Sequence, residues 1–227
     1  CLLYRKKDMT LAIDPISDIH VYGLDVKNRE IYLNGYVTNS DEDPGVDYRM
    51  ASNLIKNIRI LDLVNHDPIF IHMHSIGGEW NDGMAMYDAI SLTKSHVTII
   101  AYGQAESMSS ILFQSADNRV MMPNAYFMSH FGSSSYSGHY LDVQNTAKFE
   151  VSCNETMLDI YTESCMSGKY FKESYESVDE DKVRGFLRRK LKNGDWYLNA
   201  HESVYYGLSD CVLSTRRHPS VDGLKYE

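Results

Sequence analysis

The sequence contains no apolar run that approaches the length of a membrane span, and residues 1–8 do not resemble a secretory signal peptide. Cysteine is also scarce, and the four cysteines (Cys1, Cys153, Cys165 and Cys211) show neither metal-binding nor redox spacing. Cys153 and Cys165 are predicted to lie on one helix, roughly 18 Å apart, which is too far for a disulfide. These absences predict a cytoplasmic protein with no membrane segment.

Positive charge is in deficit as well, because 22 Lys and Arg residues face 31 Asp and Glu residues and leave a net charge of −9. This balance argues against a nucleic-acid partner, since phosphate binding needs a basic surface. No Walker-type phosphate-binding loop occurs, so any use of ATP must belong to a partner protein. The 227 residues, 43% of them apolar, are enough for one substantial core.

Short apolar strands alternate with helical patterns along most of the chain, which predicts an α/β fold with largely parallel strands. The predicted strands cover residues 29–35, 69–74, 97–102, 119–122, 126–130 and 208–213. The predicted helices cover residues 50–65, a segment after Gly78, a segment from Ser107, and residues 140–166, 179–190 and 200–206. In the first of these helices, the apolar points are Met50, Leu54, Ile55, Ile58, Leu61 and Leu63. Residues 38–45 and 132–138 are predicted to be loops.

The most informative stretch runs through residues 97–116. Its apolar start leads into Gly103 and then Ser107, which predicts a buried strand, a tight glycine turn and a helix. Unpaired N–H groups at a helix start stabilise the negative charge that a serine nucleophile generates on a substrate oxygen. The alternative is that Ser107 only caps the helix, as serines at such junctions usually do.

His130 and Asp195 are the candidate partners of Ser107. His130 ends a predicted strand, and an imidazole accepts a serine proton near neutral pH. Asp195 would orient that imidazole. Counting alone does not select these two among nine histidines and 31 acidic residues. Taken by itself, His130 is more often a structural histidine than a base.

Six short segments follow one another in the order typical of one family. The family's Ser-Pro-Gly-Gly corresponds to residues 75–78, and its Gly-Gln-Ala-Ala-Ser-Met-Gly to residues 103–109. Residues 83–88 match Gly-Met-Ala-Ile-Tyr-Asp, and residues 122–130 match Leu-Pro-Asn followed by a strand and a histidine. Residues 195–200 and 205–210 match Asp-Arg-Phe-Leu-Ser-Ala and Glu-Tyr-Gly-Leu-Val-Asp. Over nearly the whole chain, the sequence therefore resembles the proteolytic subunits of Clp proteases, the ClpP family.

The resemblance implies a ClpP/crotonase-like fold with a spiral βαβ core and a long protruding handle helix at about 140–166. It divides the chain into an N-terminal arm (1–17, interrupted by Pro15), a peptidase domain (18–214) and a C-terminal tail (215–227). Relative to the family, extra residues lie at about 170–181.

The same resemblance implies the site. Ser107 would be the nucleophile, His130 the base and Asp195 the orienting acid. The backbone N–H groups of Gly77 and Met108 would form the oxyanion hole. Gly78 and Phe131 would bind substrate. Apolar residues expected near the groove (Met73, Trp80 and Phe131) predict a preference for apolar side chains beside the cut bond.

Four departures from the family pattern fall at the site, and one of them is Phe131-Gly132 after His130, where the family has Gln-Pro. Ile76 replaces a proline and so removes a rigid φ beside a presumed oxyanion donor. Glu106 places a carboxylate next to the nucleophile, where the family has a small residue. Ser109 stands where the family has glycine.

His72 and His74 fall on one face of a predicted strand, which is compatible with metal binding. No third ligand has suitable spacing and the family site uses no metal, so packing or groove lining is the favoured interpretation. We expect no metal and no cofactor.

The function implied is that of a serine endopeptidase that cleaves unfolded polypeptides inside a ring-shaped chamber. Heptameric rings stacked as a tetradecamer, fed by an AAA+ ATPase unfoldase, are the implied assembly. One alternative is a catalytically inactive ring subunit, and another is a viral capsid-processing protease of the same fold. Acyl-CoA chemistry on a crotonase fold is a third, but it does not predict the serine, histidine and aspartate set.

Overall fold

Parallel strands form the centre of the molecule, as the alternating pattern predicts. The computed structural model describes residues 15–33, 45–132, 134–213 and 220–224. Its strands are β1 (Leu24–Asp25), β2 (Glu30–Leu33), β3 (Ile69–Ser75), β4 (Val97–Glu106), β5 (Asn118–Met121), β6 (Tyr126–Ser129), β7 (Trp196–Asn199) and β8 (Cys211–Val212). Its helices are α1 (Pro15–Tyr22), α2 (Tyr48–Val64), α3 (Trp80–Ser91), α4 (Met108–Leu112), α5 (Tyr140–Cys165), α6 (Lys169–Ser174), α7 (Glu180–Leu191), α8 (Ala200–Tyr206) and α9 (Val221–Leu224).

The sheet follows the order β1-β2-β3-β4-β5-β8, and β4 also pairs with β6, which pairs with β7. The parallel pairs are β2–β3, β3–β4, β4–β5, β5–β8 and β4–β6. The antiparallel pairs are β1–β2 and β6–β7. β4 pairs with β5 through residues 98–101 and with β6 through residues 104–106, so the sheet branches at this strand. The mixed α/β fold with a branching, largely parallel sheet confirms the predicted class.

The predicted tight turn at Gly103 is wrong, because the strand continues through it to Glu106. Gly103 has a φ of +60°, and a Cβ there would lie 2.7 Å from the imidazole of His74. The register with β3 jumps from the pair Met73–Ala101 to the pair Ser75–Ala105. The glycine therefore bends the strand and lets a side chain from β3 sit against its backbone.

Helix α2 confirms the predicted amphipathic helix. Asp47 begins it by accepting hydrogen bonds from the N–H groups of Arg49 and Met50. The face that packs on the sheet carries the buried residues Met50, Leu54, Ile58 and Leu61. Ile55 and Leu63, predicted to share that face, are 39% and 69% exposed.

Helix α5 confirms the predicted long helix and is buried only towards its C-terminal end. Met157, Leu158, Tyr161 and Cys165 are in the core, whereas Tyr140, Leu141, Phe149 and Val151 are more than half exposed. Helix α7 packs against it, with Arg184 and Arg188 both binding Glu155. These two guanidinium groups lower the pKa of the Glu155 carboxyl to about 2. Arg184 and Arg188 thus have a structural role.

Other boundaries differ from the prediction. Helix α1 begins at Pro15, which suits the first turn of a helix, so the boundary of the predicted arm at residue 17 falls inside a helix. Helix α6 and strand β7 were not predicted, and β8 is shorter than the predicted strand. Leu224 of α9, in the predicted tail, packs with Phe70 and Ile100.

Residues 1–14, 34–44, 133, 214–219 and 225–227 lie outside the described residues, and with them most of the predicted arm, loop and tail. In the described part of the chain, no helix is both long and apolar enough to cross a membrane.

Candidate active site

Ser107 sits on a strained backbone turn between β4 and α4. Its φ of 51° and ψ of −125° lie outside the backbone regions that residues with a side chain normally adopt. The turn is held from both sides, because the Ser107 N–H donates to the carbonyl of Met128 at 2.9 Å and the Ser110 hydroxyl donates to the Ser107 carbonyl at 2.6 Å. Strain of this kind is retained at sites where a side chain must be presented in a fixed direction.

The hydroxyl of Ser107 points at His130. Its Oγ lies 2.8 Å from Nε2 of His130, and Nδ1 of that ring lies 3.1 Å from Oδ1 of Asp195. Ser107 occupies the N-cap position of α4, but its side chain makes no capping hydrogen bond. The interpretation of Ser107 as a simple helix cap is therefore wrong.

The antiparallel β6–β7 pair brings His130 and Asp195 together. Ser129 is opposite Trp196 at the end of the ladder, so His130 and Asp195 leave the two strands side by side. The parallel pair of Glu106 and Met128 then places the end of β4 against β6. Three chain segments that are far apart in sequence thus converge at one end of the sheet.

The turn after β3 packs against the start of α4. Gly77 has a φ of +90°, and a Cβ on it would lie 2.6 Å from Cβ of Ser107 and 2.7 Å from the backbone nitrogen of Met108. Met108 is the first residue of α4, where N–H groups have no acceptor within the helix. The Gly77 N–H donates to Oγ of Ser75 over a long 3.3 Å. The two predicted oxyanion donors are therefore neighbours beside the Ser107 side chain.

A cavity of about 360 Å³ opens beside Ser107 and His130. Gly78 and Phe131 line it, as does the predicted groove residue Trp80. Gly78 is fixed by a parallel bridge to Val46. Met73, also predicted near the groove, is fully buried in the core instead.

One wall of the cavity comes from helix α5, which was not predicted to be part of the site. Phe149, Cys153 and Met157 recur every four residues along this wall. This spacing is visible in the sequence and marks one helix face. Two polar residues of the wall, Thr146 and Asn154, and the carboxylate of Glu150 make the cavity mixed in character rather than apolar.

Glu106 does not line the cavity, and it is close enough to His130 and Asp195 to interact with them electrostatically. Burial and the nearby Asp195 carboxylate raise the pKa of the Glu106 carboxyl, and His130 acts in the opposite direction. The Glu106 carboxylate in turn raises the pKa of the Tyr197 hydroxyl.

His72 and His74 both contact Tyr102. Nδ1 of His72 is 2.9 Å from the Tyr102 hydroxyl and its ring stacks on Tyr32, while Nδ1 of His74 is 2.8 Å from the Tyr102 carbonyl. Within the described ranges, no three His, Cys, Asp or Glu side chains are grouped in a way that would hold a metal ion.

Two other acids that follow Asp195 in the sequence, Asp210 and Glu202, interact with other partners. Asp210 forms a double ion pair with the buried Arg119, at 2.6 and 3.0 Å. Glu202 accepts a hydrogen bond from the N–H of Asn199 in a capping box at the start of α8. Asp195 is the acid that contacts His130.

A serine on a strained strand-to-helix turn, hydrogen-bonded to a histidine that contacts an aspartate, is an arrangement typical of serine hydrolases. The fold and the site therefore define a class, α/β proteins with a serine-hydrolase type of site.

Comparison with known proteins narrows this class. The family model of the Clp protease matches residues 20–216. The ATP-dependent Clp protease proteolytic subunit of Deinococcus radiodurans is 28% identical over 175 residues, covering 76% of this chain and 78% of that protein. The corresponding subunit 2 of Pseudomonas aeruginosa is 26% identical over 200 residues, covering 87% of each chain.

Among solved structures, a ClpP1 mutant from Listeria monocytogenes has the same fold, with a TM-score of 0.67. It is 19% identical in sequence, and the match covers 88% of this chain and 96% of that one. The chain belongs to the Clp protease family.

Proposed function

We propose that this protein is a serine endopeptidase that cleaves unfolded polypeptides, with Ser107 as nucleophile, His130 as general base and Asp195 as the acid that orients His130. The observation that carries the proposal is the pair of contacts at 2.8 Å and 3.1 Å that connects these three side chains. Membership of the Clp protease family supports it.

The acylation step uses groups that are already in contact. Neutral His130 accepts the hydroxyl proton of Ser107 as Oγ attacks the carbonyl carbon of the cut bond. The resulting oxyanion takes hydrogen bonds from the N–H groups of Gly77 and Met108, and the charged acceptor competes successfully with the long bond from Gly77 to Ser75. The imidazolium then donates its proton to the leaving amine, and the C–N bond breaks.

Deacylation reverses the roles. His130 takes a proton from water as the water oxygen attacks the acyl-enzyme ester. The ester bond to Oγ of Ser107 then breaks as the imidazolium returns the proton to that oxygen. Asp195 accepts the hydrogen bond from Nδ1 and keeps Nε2 directed at Ser107 throughout. The carboxylic acid product leaves through the cavity that Gly78 and Phe131 line.

The assembly is proposed on the same basis. The exposed apolar residues in the first half of α5 need a partner, and a second copy of the chain in stacked heptameric rings would cover them. The relatives are proteolytic subunits of ATP-dependent proteases, and this sequence has no phosphate-binding loop. A separate AAA+ ATPase would therefore unfold the substrates. The cytoplasm is the proposed compartment, because the described cysteines are free.

A fluorophosphonate probe tests the proposal directly. We expect intact mass spectrometry to show one adduct on the wild type and none on the variant Ser107→Ala, which lacks the nucleophilic hydroxyl. Short unstructured peptides should be cleaved by the wild type alone, whereas folded proteins should need an added ATPase.

Each alternative predicts a different result. A properly assembled wild type that neither labels nor cleaves would indicate an inactive ring subunit. Digestion of folded proteins without an ATPase would favour a free-standing processing protease. Labelling that persists in Ser107→Ala would refute the assignment of the nucleophile.

A further inference from the structure

Two segments carry the proposed oxyanion donors, and each segment follows a different strand. Gly77 belongs to the turn after β3, and Met108 begins α4 after β4. The β3–β4 ladder is irregular just before this point, since its register shifts between Met73 and Ser75. Gly77 has no side chain, so the direction of its N–H depends on the groups around it.

A buried pair of hydroxyl groups connects the two segments. The Ser109 hydroxyl, in the first turn of α4, donates to Oγ of Ser75 at 2.6 Å. Both residues are fully buried, at 0% exposure. Oγ of Ser75 also accepts the Gly77 N–H at 3.3 Å. One oxygen atom thus joins the helix that carries Met108 to the peptide group of Gly77.

We propose that Ser109 and Ser75 are positioning residues that hold the Gly77 turn at a fixed distance from Met108. Since neither hydroxyl reaches water, breaking their bond leaves a buried polar group without its partner. The turn carries Ile76, which is 43% exposed and whose φ no ring restrains. Ser109 stands where the family pattern has glycine, so this contact is a feature of this chain. The inference rests on the proposed function, because it concerns the oxyanion donors.

The hydrogen bond from Gly77 to Ser75 also explains how the Gly77 N–H stays available to an oxyanion. The bond from Gly77 to Ser75 is long and its acceptor is a neutral hydroxyl. An oxyanion is a stronger acceptor, so it draws the N–H away when charge develops. Ser75 therefore keeps the peptide group oriented in the free protein without competing strongly in the transition state.

The experiment compares Ser109→Ala, Ser75→Ala and the double variant with the control Ser203→Ala. Ser203 is a matched control, because its buried hydroxyl contacts Oγ of Ser209, also at 2.6 Å, in a pair outside the site. Two readouts are used: kcat and KM on a short peptide, and amide hydrogen exchange of residues 76–80 by mass spectrometry. Exchange does not depend on catalysis.

We expect Ser109→Ala and Ser75→Ala each to lower kcat about tenfold with little change in KM, because misplacing a donor weakens transition-state binding only. The double variant should be no worse than the more severe single variant, since both remove the same contact. Exchange of residues 76–80 should accelerate in all three. Ser203→Ala should lose stability but keep the wild-type kcat and exchange in this segment.

Several outcomes overturn the proposal. These are an unchanged kcat and exchange in Ser109→Ala, a loss confined to KM, or a kcat that rises because Ser75 restrains the donor. If Ser109→Ala does not fold, Ser109→Cys replaces it, since a thiol is a weaker donor. A wild type without peptidase activity refutes the proposed function, and the exchange data then still decide whether the Ser75–Ser109 contact holds the turn.

Discussion

The packing of Gly77 leads to a prediction for the variant Gly77→Ala. An alanine there keeps a φ of +90°, a backbone conformation that costs an L-residue roughly 1–2 kcal/mol. Its Cβ would also lie 2.6 Å from the Glu106 carbonyl oxygen and 2.6 Å from Cβ of Ser107. Since part of the obstacle is backbone, relief requires movement of the turn or of the strand, at a further cost of about 1–3 kcal/mol. We expect a total loss of about 2–5 kcal/mol in the free energy of unfolding.

Gly132→Ala measures the conformational cost alone, so its difference from Gly77→Ala isolates the steric cost. Gly132 has a φ of +68°, but nothing lies within 4 Å of a Cβ built on it. This variant should lose only the conformational part, roughly 1–2 kcal/mol. Urea unfolding of both variants at one protein concentration measures the difference. Equal losses in the two variants would refute the reasoning that the turn is closely packed on Ser107.

The same movement should displace an oxyanion donor. We therefore expect the kcat of Gly77→Ala to fall by about 10²–10³, the usual cost of losing one such donor. Peptide hydrolysis by the folded fraction, titrated with the fluorophosphonate probe, measures this. An unchanged kcat would remove Gly77 from the proposed oxyanion hole.

Three further predictions concern charged groups. Asp195→Asn should lower kcat by about 10⁴, as the equivalent change does in a serine protease of another fold, because the amide favours the wrong tautomer of His130; steady-state kinetics on an intact assembly checks this, and an unchanged kcat would exclude Asp195. Asp210→Ala leaves the buried Arg119 without its carboxylate and should cost about 2 kcal/mol, less than for a fully buried pair because the Asp210 side chain is 38% exposed; an unchanged urea midpoint would contradict this. Glu106→Gln should stabilise the fold at pH 8. The raised pKa of Glu106 means that ionising this carboxyl is less favourable in the folded state than in the unfolded state, so above that pKa the charged form destabilises the folded protein. The gain should disappear as the pH falls below the ordinary carboxyl pKa, and an equal gain at pH 8 and at low pH would contradict the electrostatic cause.

Local patterns predicted most of the elements. Helix α7 is an example, because acidic residues at its start and basic residues at its end mark its two ends by their interaction with the helix dipole. Helix α8 ends at Gly207, whose φ of +85° is the left-handed conformation expected of a terminating glycine. Such signals act within a few residues, so a single sequence contains them.

Elements that depend on distant partners were missed or misjudged. Strand β7 exists because it pairs with β6, about 70 positions earlier in the chain, and its own four residues carry no strand pattern strong enough to predict it. Gly103 was expected to end a strand, but the chain continues because β6 offers a new partner to residues 104–106. Backbone hydrogen bonding to a neighbouring strand overrides the local preference of one glycine.

The site divides in the same way. The sequence alone predicts which residues stand at the nucleophile, base and acid positions of the family pattern, because these segments keep their residue types and their order. The three-dimensional packing was needed to show that the Ser107 hydroxyl contacts His130 instead of capping α4, and that Ser109 binds Ser75. A single sequence does not contain this information, because each of these contacts joins segments that follow different strands. The direction of a side chain there follows from the packing of the sheet and not from its sequence neighbours.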